Sequence, residues 1–139
     1  MTPEEIALIQ YSYAKVWPRE DEFAAQFYKK LFAAQPEIAS LFKGDMVLQG
    51  RKLTTMLGAI VNGLDSFSIV VQAAEEMALR HVDYGVKIEH YDYVGVALIG
   101  ALDSLLGKEC TPDIMAAWAK IYRELSVKMI AAASSAEAA

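Results

Sequence analysis

The chain is poor in almost everything from which a catalytic or metal cluster is built. Its 139 residues include one cysteine, Cys110, and two histidines, His81 and His90. A lone cysteine makes neither an internal disulfide nor a thiolate metal cluster, and Cys110 reads as a small buried or half-buried thiol. No group of histidine, cysteine and acid stands at zinc spacing, and no glycine-rich phosphate loop is present. Cys110 opens the last expected helix while His81 closes another, so nothing pairs a nucleophile with a histidine as a hydrolytic triad requires. Runs of basic residues are also missing. Thirteen Lys and Arg against 18 Asp and Glu give a net charge of −5 and a pI near 5.0, a balance that disfavours nucleic acid and acidic membrane surfaces. The start, MTPEEIALIQYSYAK, carries acids where a signal peptide has a basic region. The longest uncharged apolar run, near Tyr93–Leu102, is too short to span a bilayer. The expectation is a cytoplasmic protein that binds neither nucleic acid nor membrane.

What the chain does have is apolar residues, 55% of the total, interrupted by only four prolines and eight glycines. That is enough for the core of one domain, expected over residues 1–131 with a frayed tail at 132–139. Helical periodicity runs through nearly all of it. Thr2-Pro3-Glu4-Glu5 is a helix start, with a threonine cap, a proline in the first turn and a glutamate three residues after the cap. Helices are expected over about 3–17, 21–34, 46–64, 69–81, 89–106 and 112–131, with a short turn through Ile38 and Leu41. No strand signal of any length appears. The fold class is all-α, with about six main helices plus that turn.

Three polar residues sit on otherwise apolar stripes. His81 follows Ala74, Met77 and Ala78 at helical spacing, Gln49 precedes Leu53, Leu57 and Ile60, and Tyr28 lies among Ala24, Phe27, Leu31 and Phe32. A buried polar group without a partner costs about 1–3 kcal/mol. Each has an ordinary explanation: a bond from His81 to the Met77 carbonyl, Gln49 facing water at a helix start, the Tyr28 hydroxyl at a rim. Together they also suit an internal group that needs all three. His90, beside Glu89 and Asp92, reads as a solvated surface histidine.

The order of the pieces resembles the globins, specifically the bacterial single-domain type similar to the haem domain of flavohaemoglobins. The resemblance is carried by QFYKKLF at Gln26–Phe32, PEIASLFKG at Pro36–Gly44, QGRKL at Gln49–Leu53, LRHVDYGV at Leu79–Val86, EHYDYVGVALIGAL at Glu89–Leu102 and AAWAKIY at Ala116–Tyr122, and it covers about residues 4–130. It implies the globin fold and haem b (iron protoporphyrin IX) in a cleft between the third and fourth long helices. His81 would be the proximal ligand of the iron, and Phe42 the aromatic wedged against the porphyrin. Tyr28 and Gln49 would be the distal donors to a captured gas. Leu53, Val86 and Val94 would form walls, and Tyr91 would reach the proximal histidine. Arg51 and Lys52 are candidates for pairing with the propionates, or are simply a solvated face; Lys52 as an internal iron ligand is a remote alternative. Nitric-oxide-consuming relatives carry a late proximal glutamate, whose position falls at Ala131–Ala133, where no acid stands.

The implied function is reversible binding of oxygen or another diatomic gas. The alternatives are nitric oxide dioxygenation with a separate reductase as partner, gas sensing with a signalling partner, and a haem-free helical interaction module. Phe42 and His81 together argue against the last.

Overall fold

The computed structural model describes the backbone of residues 1–138 and the side chains through residue 135. Helix α1 spans Pro3–Val16 and starts as its sequence dictates. The Thr2 hydroxyl accepts from the Glu5 amide, and the Glu5 carboxylate accepts from the Thr2 amide at 2.8 Å. Pro18 removes an amide and converts the helix into a single 3₁₀ turn at Trp17–Arg19. Helix α2, Glu20–Ala34, follows with three acids in its first turn, where the helix dipole favours them. Gln35-Pro36 ends α2, and the expected short turn is a 3₁₀ segment at Pro36–Leu41.

Asp45 caps α3, Met46–Asn62, by accepting from the amides of Val47 and Leu48. A 3₁₀ turn at Leu64–Ser66 then leads directly into α4, Phe67–Asp83. Ser66 makes no side-chain cap, and α4 begins two residues before the expected Ile69 because the turn already places Phe67 in helical geometry. Helix α5 covers His90–Leu106 and stops at Gly107, whose φ of +55° is open to glycine at little cost. Helix α6, Pro112–Ala138, runs seven residues beyond its expected end at Ala131, and Ala133 is buried.

Helix α4 packs most extensively on α6, and α2 on α5. Ile9, Val16, Phe23, Leu31 and Leu102 fill the core completely buried. Among the described residues, polar ties cross it: the Tyr13 hydroxyl donates to the Thr54 carbonyl at 2.9 Å, and the Trp118 indole donates to the Ser12 hydroxyl at 2.8 Å, which donates in turn to the Leu8 carbonyl. At the crossing of α2 and α3 a Cβ on Gly50 would stand 2.9 Å from the Cβ of Ala24, so the two backbones approach as closely as the absence of a side chain permits. Among the described residues there is no strand, and no single helix is long and apolar enough to cross a membrane.

Candidate cofactor pocket

The amphipathic faces of α3, α4, α5 and α6 do not close completely on one another. They leave a cavity of about 140 Å³. Leu53, Met56 and Ile60 of α3 form one wall, and Met77 and His81 of α4 another. Val86 of the following loop and Tyr91 and Val94 of α5 continue it. Trp118, Tyr122, Leu125 and Met129 of α6 form the floor, and Phe27 reaches in from α2. The lining is almost wholly apolar, which disfavours a charged or sugar-like occupant and suits a flat apolar one.

His81 is the only histidine on this lining. It stands in the last turn of α4, where the carbonyl ends of the helix favour a basic side chain. Its own carbonyl accepts from the Val86 amide at 3.0 Å, and Gly85, at φ +89°, makes the reversal that brings Val86 back to the cavity. Burial holds the imidazole below its ordinary pKa, and the nearby Met77 carbonyl offsets only part of that. The expected hydrogen bond from His81 to Met77 or Tyr91 is not formed at bonding geometry. His81 Nδ1 and the Tyr91 hydroxyl are instead both buried without a partner. Tyr91 faces the same cavity, and burial raises its hydroxyl pKa. The Tyr122 hydroxyl is committed elsewhere, donating to the Tyr91 carbonyl.

The other expected site residues lie beside this cavity rather than on its lining. Tyr28 packs edge-on against Phe42 with ring centroids 5.3 Å apart, and Phe32 completes the cluster. Burial raises the Tyr28 pKa, and the adjacent Gln49 side chain partly offsets the rise. Gln49 is half-buried on the first turn of α3, one residue before the close contact of Gly50 with Ala24. Arg51 and Lys52 are exposed and take part in no ion pair among the described residues. His90 is a correction. It is 5% exposed rather than solvated, because its Nδ1 accepts from the Lys87 amide and turns the ring inward at the start of α5. The sequence does not mark the α6 floor as part of the pocket. Its stripe of Trp118, Tyr122, Leu125 and Met129 has the same periodicity whether it meets protein or a cofactor.

A globin family model matches residues 25–129, which hold every one of these side chains. The chain belongs to the globin family. It is 28% identical over 133 residues to a flavohemoprotein of Bordetella pertussis, covering 94% of this chain and 33% of that protein. A flavohemoprotein of Deinococcus radiodurans is 31% identical over the same shares, and one of Bacillus subtilis is 27% identical over 84% of this chain and 30% of its own length. The globin chain thus spans about a third of the length of these relatives.

The family implies a haem, and the residues present fit one. An imidazole with an unpartnered buried nitrogen faces an apolar cavity, and the lining offers no acid to compete for a cation. Among the described residues no group of three or more metal-ligating side chains suggests a different centre.

Proposed function

We propose that this globin holds haem b through His81 and reversibly binds oxygen or another diatomic gas. The observation that carries the reading is the place of His81, the single histidine on the wall of an apolar cavity. A neutral imidazole is the form that ligates iron, and burial keeps His81 neutral by lowering its pKa. The haem, when bound, supplies reversible coordination of the gas.

The protein's own residues do the rest. Leu53, Val86 and Val94 exclude water from the apolar faces of the group. Phe42 would wedge against the porphyrin face, and Arg51 and Lys52, at the surface, would be the candidates to pair with its propionates. Tyr91 limits rotation of the His81 ring. The Tyr28 hydroxyl and the Gln49 carboxamide, beside the cavity, would donate hydrogen bonds to a captured gas. The resemblance would place the late proximal glutamate of nitric-oxide-consuming relatives at Ala131–Ala133, and the lack of an acid there favours gas binding over dioxygenation. If the protein does turn over, it requires electrons from a reductase partner.

The test is optical. Protein purified with haem should show a Soret band that shifts between ferric, ferrous and oxygen-exposed samples. His81→Ala should abolish that pigment or make it depend on added imidazole. Pigment content and gas uptake unchanged by His81→Ala would overturn the assignment.

A further inference from the structure

Three of the six methionines, Met56, Met77 and Met129, line the main cavity. Met46 lies outside it and is 36% exposed, and Met115 lies in a separate groove between α5 and α6. The three cavity methionines stand on different walls. Met56 belongs to α3, where it follows Gln49 and Leu53 at helical spacing. It is therefore on the stripe that carries a proposed donor to the gas. Met77 belongs to α4, one turn before His81 on the same face, and Met129 belongs to α6. Met56 and Met77 are both half-buried, so exposure alone gives them similar access to solvent oxidants.

We propose that Met56 is a sulfoxidation site served from inside the cavity by a hydroperoxide, and that its sulfoxide loosens the cofactor. The proposal rests on the haem reading above. Haem, when bound, holds and polarises a small oxygen–oxygen ligand on the side away from His81. The step is a transfer of one oxygen atom. The Met56 sulfur gives an electron pair to one oxygen of the hydroperoxide, and the oxygen–oxygen bond breaks. The other oxygen leaves, protonated, as water or an alcohol. Sulfur is oxidised by two electrons and the hydroperoxide is reduced by two, so no further reductant is needed. A methionine sulfoxide reductase would restore the thioether.

Oxidation changes the wall. A thioether is soft and apolar, whereas a sulfoxide carries a strong acceptor oxygen. Three polar groups on the lining already donate elsewhere: the Trp118 indole to Ser12, the Tyr122 hydroxyl to Tyr91 and the Ser126 hydroxyl to Arg123. His81 and Tyr91 lie on other elements, on the side that holds the iron. A sulfoxide on the α3 wall thus meets hydrocarbon and favours an opened, hydrated cavity.

The test compares haem-loaded and haem-free protein exposed to the same dose of hydrogen peroxide, with each methionine quantified by tandem mass spectrometry. In haem-free protein, exposed Met46 should oxidise first, with Met56 and Met77 lagging alike. In haem-loaded protein, Met56 should gain about tenfold or more in rate and overtake Met46, since it is held beside the oxidant. Met77, on the His81 side, should still lag. Haem transfer to an excess of a haem-scavenging apoprotein is the second arm. Peroxide-treated wild type should release haem about tenfold faster than untreated, the order expected for one unpaired buried polar group. Met56→Leu, which conserves volume, should be immune to that change. Met56→Gln should release haem faster without any peroxide. The Soret band measures haem content separately. A missing band sinks the haem reading and this proposal with it. A normal band with Met46 still leading, with Met56 and Met77 oxidised equally, or with equal haem release from treated wild type and Met56→Leu, would overturn the proposal alone.

Discussion

The backbone amide of Lys87 donates to Nδ1 of His90 at 3.0 Å, and the His90 amide returns a bond of the same length to the Lys87 carbonyl. This reciprocal pair closes the loop between α4 and α5, the segment that returns Val86 to the wall beside His81. Glu89, at the N-cap of α5, provides no side-chain cap, so His90 does that work from inside the helix. Substituting His90 with Ala removes the acceptor and leaves the Lys87 amide orphaned, a loss of about 1–3 kcal/mol. Because Lys87 itself is exposed, water can reach its amide and the lower end of that range is expected. Hydrogen exchange should accelerate at the Lys87 amide and its neighbours while α1 and α6 keep their protection. Unchanged exchange at Lys87 would show that the pair is incidental.

Gly95 faces the Tyr122 ring so closely that an added Cβ would stand 2.7 Å from it. A glycine-to-alanine change within a helix ordinarily gains about 0.5–1 kcal/mol, but here the clash decides the sign. The ring cannot swing away freely, since its hydroxyl is bound to the Tyr91 carbonyl. Gly95→Ala should therefore destabilise by about 1–3 kcal/mol, the usual cost of overpacking. If the hydroxyl is what pins the ring, adding Tyr122→Phe should recover part of that loss in urea titrations. Strict additivity of the two substitutions would mean that the helices themselves, and not the hydroxyl, resist the shift.

Periodicity made the six helices legible, and Thr2 and Pro3 announced where α1 begins. The positions that resisted reading are those where a side chain's partner is distant in sequence or is backbone. His90 stands between acids in a polar stretch, and nothing in its neighbours says that its ring accepts from an amide three residues earlier. Ser66–Ser68 has an ordinary loop composition, so the sequence puts the start of α4 at Ile69 and keeps Leu64 in α3, whereas Leu64–Ser66 is a 3₁₀ turn. The pocket itself was half visible. His81, Leu53, Val86, Tyr91 and Val94 share one lining. Tyr28, Gln49 and Phe42 gather on its flank, because the α2–α3 crossing, set by Gly50 against Ala24, carries them there. The α6 floor was hidden in the core pattern, since an apolar side chain has the same signature against a leucine as against a cofactor.

The junction of α1 with α6 should respond to acid. Glu5 accepts from the Thr2 amide and from Lys120, and these partners hold its carboxyl down to about 2, from an ordinary value of 4.5. As pH falls below 4.5, the unfolded chain takes up this proton before the folded one does. The stabilisation is thus complete above 4.5 and is lost as pH drops toward 2. Glu5→Gln keeps a capping side chain but removes the charge. Its thermal midpoint should lie below that of the wild type near neutrality, with the gap closing as the pH approaches the folded-state value. A gap independent of pH would assign the effect to cap geometry alone.

The distal side offers the sharpest functional prediction. Tyr28 is the more buried of the two candidate donors, with Gln49 half-exposed beside it. Hydrogen bonds to charged acceptors contribute about 1.5–3 kcal/mol, which corresponds to roughly ten- to a hundredfold in affinity. A donor already in place affects departure more than arrival, because the bond exists only once the gas has been captured. Tyr28→Phe in the haem-loaded protein should therefore raise the oxygen dissociation rate by that factor, with association nearly unchanged. Gln49→Leu should do the same to a smaller degree, since a carboxamide that reaches water already has competing partners. Carbon monoxide, which is polarised far less on binding, provides the internal control, and its dissociation should change little in either variant. Stopped-flow mixing measures all of these rates. An oxygen dissociation rate unmoved by Tyr28→Phe would remove this hydroxyl from the mechanism and leave Gln49 as the donor to test.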